Sequence, residues 1–254
     1  MLELAAFIAG LVLGSFLNVC IRRIPAGESI VHPGSHCPQC DAAIAFYDNI
    51  PVVSYLILRG RCRACRKPIG LRYPAVELLT GVAMAALVCQ FGYTPVLPIH
   101  AGFLAALIVI TFIDLDHQII PNVITLPGIL IGLGCAAVGL GPSLSASAGG
   151  LLLGGGFLWI VAATYELLAK REGMGGGDIK LLAMIGTFLG WNGVLTTLLL
   201  ASFSGALVGG ALMLLRRVDR GAPIPFGPFL AAGATCALFL GSRVTDWYLD
   251  RFFL

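Results

Sequence analysis

Two sets of side chains in this sequence have the types and spacing to do chemistry. The first is acidic. The stretch "ITFIDLDHQIIPN" carries Asp114, Asp116 and His117 ahead of Pro121, and "EGMGGGDIKLL" carries Asp178 directly behind Gly175, Gly176 and Gly177. Ionisable residues at the ends of long apolar runs are costly to place, so each is a functional candidate. The glycines remove side chains just before Asp178 and permit backbone angles closed to other residues. A substrate strand, or the helix end bearing Asp114, can then come close to that carboxylate. Two carboxylates within reach of each other do not both ionise readily and share a proton. One then serves as general base on a water and the other as general acid, which is aspartic-protease chemistry. Taken singly, each residue has a plainer reading: Asp178 as a helix N-cap, Asp114 as an interfacial polar residue, Asp116 as a solvated loop carboxylate, and His117 and Lys180 as interfacial groups, Lys180 also being placed to hold the charge of a nearby acid.

The second set is made of thiols. "HCPQC" gives Cys37 and Cys40, "GRCRAC" gives Cys62 and Cys65, and 21 residues separate the two pairs. Two C-x2-C knuckles can close a tetrahedron around Zn²⁺. Disulfides or redox dithiols are the competing reading, disfavoured if the segment lies in a reducing compartment. A loop this polar has little apolar core, so the metal would supply folding free energy and the site would be structural. His32 and His36 could substitute as ligands, although four cysteines already complete a shell. Cys20, Cys89, Cys135 and Cys236 fall in apolar runs and read as filler.

The elements that must position these groups follow from composition. The chain has 254 residues, of which 58% are hydrophobic and 11% charged, with a mean hydropathy of +0.93. That excludes an ordinary soluble globule and points to a polytopic membrane protein. A spanning helix needs about 20 apolar residues, and such runs occur at 2–21, 74–92, 96–114, 121–140, 147–168, 179–190, 193–215 and 225–242. The sixth is short. The expected fold is all-α, with about eight transmembrane helices and a small zinc-bound loop domain. The expected division is a first transmembrane helix at 1–21, a cysteine-rich loop at 22–73 and a helical membrane domain at 74–254. Most of the 33 glycines read as close-packing positions between helices.

Charge sets the expected orientation. The 22–73 segment carries Arg22, Arg23, Arg59, Arg61, Arg63, Arg66, Lys67 and Arg72 against Glu28, Asp41 and Asp48, which places it in the cytoplasm. Alternation then puts the uncharged turns near Gly92, Gly141 and Trp191 outside, and Lys170, Arg171 and the Arg216 to Arg220 stretch inside. The amino terminus falls outside, and its Met-Leu-Glu-Leu opening lacks the basic region of a cleavable signal, so the first run reads as a retained anchor. Both acidic stretches then lie at the cytoplasmic boundary; the alternative reading, a membrane transporter or channel that uses Asp114 and Asp178 for a cation or protons and the cysteine loop as a regulatory zinc module, expects them near the midplane, where carriers place their sites. The basic loop is suited to anionic lipid headgroups.

These motifs occur in a fixed order: "GSFLNVCIRRIP", "CPQC", "NIPVVSYLILRG", "RGRCRAC", "RYPAVELLTG", "DLDHQIIPN", "GMGGGDIKLLAMIG" and "PIPFGPFLA". Together they resemble the bacterial prepilin peptidases, or type IV leader peptidases, of the GxGD class of membrane aspartic proteases. The resemblance implies catalytic roles for Asp114, seven residues before Pro121, and for Asp178 of Gly175-Gly176-Gly177-Asp178, with Asp116 secondary and Gly175, Gly177 and Lys180 in support. It further implies a bacterial inner-membrane enzyme that removes the leader from prepilins and type II secretion pseudopilins, then methylates the new amino terminus with S-adenosylmethionine. Nothing implies a nucleic-acid partner or fixes an oligomeric state. No glycine-rich Rossmann motif marks a methyl-donor site. Asn18 and Glu77 are conceivable participants, against the plainer readings of a helix-packing amide and a helix-start carboxylate.

Overall fold

The computed structural model describes residues 1–170, 175–215 and 225–252. Arg171, the Arg216 to Arg220 stretch and Pro223, on which part of the orientation and turn reading rests, lie outside the described residues. Two compact units form, Met1–Val109 and Ile110–Leu254.

Among the described residues, five helices are long and apolar enough to cross a membrane: α1 (Leu2–Ala26), α3 (Arg72–Phe91), α4 (Leu97–His117), α6 (Leu144–Ala169) and α7 (Gly176–Leu214). The short α2 (Val53–Ile57) and a 3-10 turn (Phe46–Asn49) lie in the polar segment after α1. α5 (Asn122–Ala137) is a shorter apolar helix, as is the Gly227–Gly241 part of α8 (Gly227–Phe252). Large apolar side chains such as Val12, Leu130, Leu152, Trp159, Leu199 and Phe203 stand exposed along these helices. Exposed apolar surface on that scale suits lipid and not water. The protein is all-α and multi-pass.

In the first unit α1 packs on α3 through small residues. A Cβ at Gly10 would lie 2.8 Å from the Gly81 Cα, and one at Gly14 would lie 2.7 Å from the Glu77 Cα. Backbones this close leave no room for larger residues. The contact sets Asn18 of α1 beside the first turn of α3, where its Nδ2 donates to the Tyr73 carbonyl at 3.0 Å. α1 ends on Gly27, whose φ of 67° gives the left-handed cap. Arg23 is not a free loop charge. It is 6% exposed, and its guanidinium donates to the carbonyls of Ser29 at 2.9 Å and Gly34 at 3.2 Å.

In the second unit α7 packs on α5, α6 and α8. The expected spans at 179–190 and 193–215 are continuous in α7, and the turn expected near Trp191 is a break at the single residue Gly190 (φ 70°, ψ −179°). At ~1.5 Å per residue the 39 residues would reach about 58 Å if straight, nearly twice the apolar core of a bilayer. A break there takes intrahelical donors from the carbonyls just before it. The Ser147 hydroxyl of α6 supplies one, donating to the Thr187 carbonyl at 2.8 Å, with both residues fully buried.

Gly150 of α6 and Gly186 of α7 meet backbone to backbone, so that a Cβ on either would overlap the other's carbonyl. Gly156, also on α6, has nothing near its missing Cβ. Gly150→Val is expected to cost about 1–3 kcal/mol by overpacking and to lower the thermal midpoint in detergent by several degrees. Gly156→Val is expected to leave it within a degree. Equal midpoints for the two variants would show that the helix contact is not as described.

Candidate functional site

The acidic residues lie in the second unit. α4 ends with "IDLDH", and Gln118, in the left-handed region at φ 55°, turns the chain while its N–H closes on the Asp114 carbonyl at 2.9 Å. Ile119, Ile120 and Pro121 then lead into α5. Asp114 is therefore on the last turn of α4. It is 5% exposed, whereas Asp116 is on the exposed side.

What holds Asp114 is the amino end of α8. Pro225 and Phe226 precede the helix, and Gly227 is its first residue. First-turn N–H groups have no intrahelical acceptor, and Pro228 has no N–H to offer. The Gly227 N–H donates to Asp114 Oδ2 at 3.0 Å, buried. A carboxylate at a helix amino terminus is also favoured by the helix dipole. A Cβ on Gly227 would lie 2.6 Å from that same oxygen, so this position must be glycine for the carboxylate to approach.

Asp178 arrives from the other side. The N-cap of α7 is Gly175, so Asp178 is not the cap; it is the third helical residue, with its N–H on the Gly175 carbonyl at 3.2 Å. A Cβ on Gly177 would lie 2.8 Å from the Ile120 Cβ. Ile120 in turn sits against Gly227, its Cδ1 3.3 Å from where a Cβ there would be. Gly177, Ile120 and Gly227 thus form one packed contact that draws the start of α7, the end of α4 and the start of α8 together. Gly175 presents only ordinary clearance, 4.0 Å, to Asp178 Oδ2. Lys180, two residues on, donates from Nζ to Asn122 Oδ1 at 2.9 Å. It tethers α7 to the start of α5. Gly227 was not singled out from sequence, although the proline-rich "PIPFGPF" flags a helix start with few donors.

The thiols lie in the first unit, on two knuckles of the same local form. In each, the N–H of the first cysteine bonds five residues ahead, Cys37 to Ala42 and Cys62 to Lys67, both at 2.9 Å. In each, the residue after the second cysteine is left-handed, Asp41 at φ 58° and Arg66 at φ 59°. An isolated bridge closes each knuckle, His36 with Ala43 and Arg61 with Pro68. The four Sγ atoms of Cys37, Cys40, Cys62 and Cys65 lie within 4.8 Å of one another, with Cys37 and Cys65 at 4.0 Å. A Zn–S bond of about 2.3 Å places tetrahedral sulfurs about 3.8 Å apart, so the cluster fits a tetrahedral thiophilic metal. Backbone N–H groups of Cys65 and Ala64 hold the Cys62 thiol down to about 7, which favours the thiolate that a metal requires. His36 turns away: its Nδ1 is 3.1 Å from the Gly34 carbonyl and its Nε2 is 3.7 Å from Asp41.

The same unit encloses a cavity of about 430 Å³ beside the knuckles. Arg63 and Asp48 close part of its wall by a bidentate pair, both contacts at 2.6 Å. The Arg63 guanidinium holds the Asp48 carboxyl below the usual range.

Long apolar helices, with Asp114 and Asp178 on helix ends joined through Gly227, Ile120 and Gly177 and with a separate four-thiol cluster, define an all-α, multi-pass membrane protein. Comparison with known proteins narrows the class. Residues 8–91 match the family model described as bacterial peptidase A24 N-terminal domain, and residues 101–210 match the type IV leader peptidase family. Curated relatives called prepilin leader peptidase/N-methyltransferase are 37% identical in Stutzerimonas stutzeri, 38% in Pseudomonas aeruginosa and 39% in Aeromonas hydrophila. Each alignment covers 97% of this chain and 93% of the relative. No solved structure matches. The chain belongs to the bacterial type IV prepilin leader peptidase/N-methyltransferase family.

Two outcomes are expected from this geometry. The purified chain should carry about one zinc per molecule by elemental analysis, Cys62→Ser should lose it, and Cys89→Ser should keep it; zinc retained by Cys62→Ser would refute the four-thiol site. Gly227→Ala should lower leader cleavage at least about tenfold, because it displaces Asp114 Oδ2 while leaving the N–H in place. Full activity in that variant would mean that the α8 contact does not orient Asp114.

Proposed function

We propose that this prepilin leader peptidase/N-methyltransferase cleaves with Asp114 and Asp178. The observation that carries the proposal is the anchoring of Asp114 Oδ2 by the Gly227 N–H at a buried helix junction where Ile120 packs against both Gly227 and Gly177, the residue before Asp178. One carboxylate of the pair takes a proton from water as the hydroxyl adds to the scissile carbonyl. The other, protonated, gives its proton to the departing amine nitrogen, so that one acid and one amine leave and the pair's protons are conserved. Asp116, exposed one turn-step away, is a supporting residue. Gly177 gives the close approach, Gly175 caps the helix that carries Asp178, and Lys180 steadies the start of α7 through Asn122. The scissile bond must be extended to be attacked, since a helical amide is shielded by its own hydrogen bonds.

The substrates are prepilins and, by the same leader chemistry, pseudopilins, each an apolar helix already in the membrane. The excess of Arg and Lys in 22–73 supports a cytoplasmic loop and a cytoplasmic-side active site in the bacterial inner membrane, with the amino terminus outside. Eight crossings would follow if the Gly190 break in α7 separates two spans. The division into 1–21, 22–73 and 74–254 assigns methyl transfer to the loop and proteolysis to the helices that follow. The Cys37, Cys40, Cys62 and Cys65 set would hold a structural Zn²⁺. S-adenosylmethionine, when bound, supplies its methyl group: the C–S bond breaks with the electron pair left on sulfur, the amine lone pair forms the N–C bond, and the surplus proton passes to water. The 430 Å³ cavity lies within the range of about 300–1,000 Å³ for small-molecule sites.

Cleavage of a prepilin in detergent, read by mass spectrometry with and without S-adenosylmethionine, tests the assignment. Asp114→Asn and Asp178→Asn are each expected to lose at least about a hundredfold in rate with little change in thermal midpoint. The wild-type product should gain one methyl increment only with the donor present. Cleavage at wild-type rate by either Asn variant would remove that residue from the pair.

A further inference from the structure

Glu77 is the group in the first unit that the peptidase chemistry leaves without a task. It stands on the first turns of α3, is 8% exposed, and lines the cavity. Its Oε2 accepts the Val52 N–H at 2.8 Å. Among the described residues no cation pairs with it. A buried carboxylate that faces a cavity without a cationic partner is an expensive arrangement, and a cationic ligand would offset it. The rest of the lining combines apolar side chains and the tyrosines Tyr47, Tyr55 and Tyr73 with the Asp48–Arg63 pair and Lys67. Aromatic faces attract cations whose charge is weakly hydrated. Of the neighbouring cations, Arg63 is held by Asp48, Arg72 lies near the Tyr73 ring at 5.9 Å, and Lys67 is exposed.

We infer that this cavity is the methyl-donor site and that Glu77 faces the sulfonium of S-adenosylmethionine. The inference rests on the methyl-transfer reading above and adds its location. A mostly apolar, partly open cavity whose buried carboxylate, Glu77, has no paired cation, with three tyrosines in its wall, suits a bulky organic cation better than it suits a phosphate or a neutral sugar. The knuckle residues Cys37 and Cys62 belong to the same wall, so the thiol cluster shapes the cavity and need not touch the reaction. Val52 gives Glu77 a second, purely structural duty. Its φ of 60° is unfavourable for a β-branched residue, and the Glu77 carboxylate pins its N–H.

The two duties separate by experiment, because the donor and its demethylated product differ at sulfur: S-adenosylmethionine carries the sulfonium charge, and S-adenosylhomocysteine is a neutral thioether. Glu77→Gln keeps an acceptor for Val52 and removes the charge. Titration calorimetry on the full-length, metal-containing protein in detergent should show the donor's Kd rising about tenfold in Glu77→Gln, with the Kd for S-adenosylhomocysteine within twofold of wild type. Ultraviolet crosslinking of labelled donor to the wild type should place the label on peptides within residues 36–77. Equal losses for both ligands would make Glu77 structural and overturn the sulfonium assignment. Donor binding by wild type with the label outside 36–77 would overturn the cavity while methyl transfer stands. A wild type that binds no donor would overturn both this inference and the methyl-donor reading beneath it.

Discussion

The second unit depends on one hydrogen bond, from the Gly227 N–H to Asp114 Oδ2. A carboxylate at the end of an apolar helix needs a donor, and in a lipid-facing bundle no water is assured on every side. Side chains that could donate are scarce in a chain that is 11% charged. A helix amino terminus solves this with backbone alone, because its first N–H groups are free and its dipole favours negative charge. Pro228 removes the next donor, which leaves the Gly227 N–H as the one aimed at the acid. The demand then spreads. Gly227 must lack a Cβ, Ile120 must fill the space beside it, and Gly177 must yield to Ile120. Three helix ends are fixed by the need of one carboxylate.

The same economy governs packing elsewhere. With no water to expel between helices in lipid, association relies on close van der Waals contact, and glycine permits the closest. Gly150 against Gly186, Gly132 against Thr187, and Gly10 against Gly81 are all of this kind. Where α7 breaks at Gly190 the freed carbonyl is met by Ser147, a neutral hydroxyl that can be buried at small cost once bonded. The polar groups that remain inside the bundle are thus mostly hydroxyls and amides on backbone carbonyls, which reserves full charge for the acids.

Local patterns were readable from sequence, and tertiary ones were not. The four cysteines declare themselves because C-x2-C spacing is a local geometry, and the matched left-handed residues Asp41 and Arg66 are its backbone counterpart. Apolar runs locate the helices because lipid demands continuous apolarity, but that same continuity hides the difference between a turn and a break, as at Gly190. Asp114 and Asp178 stood out by rarity. Their shared contact through Ile120 and the hold of α8 on Asp114 are separated by tens to over a hundred residues, and no spacing rule spans that distance. Charge counting likewise treated Arg23 and Arg63 as loop charges. One is buried on carbonyls and the other is committed to Asp48.

The first unit meets a different constraint. Its polar segment has little apolar core of its own: Cys37 is buried, while Phe46, Leu56, Ile57 and Leu71 are exposed. Order must come from cross-links. The thiol cluster, placed so that it could share one metal ion, brings the two knuckles together, the Asp48–Arg63 pair joins the 3-10 turn to the second knuckle, and Glu77 joins the loop to α3 through the Val52 N–H. Such a frame encloses space instead of filling it, since ties at a few points do not require the interior to be packed. A cavity is the natural result, and its position against the start of α3 follows from where the last tie is anchored. The carboxylate that anchors the loop is for that reason the one that faces the enclosed space.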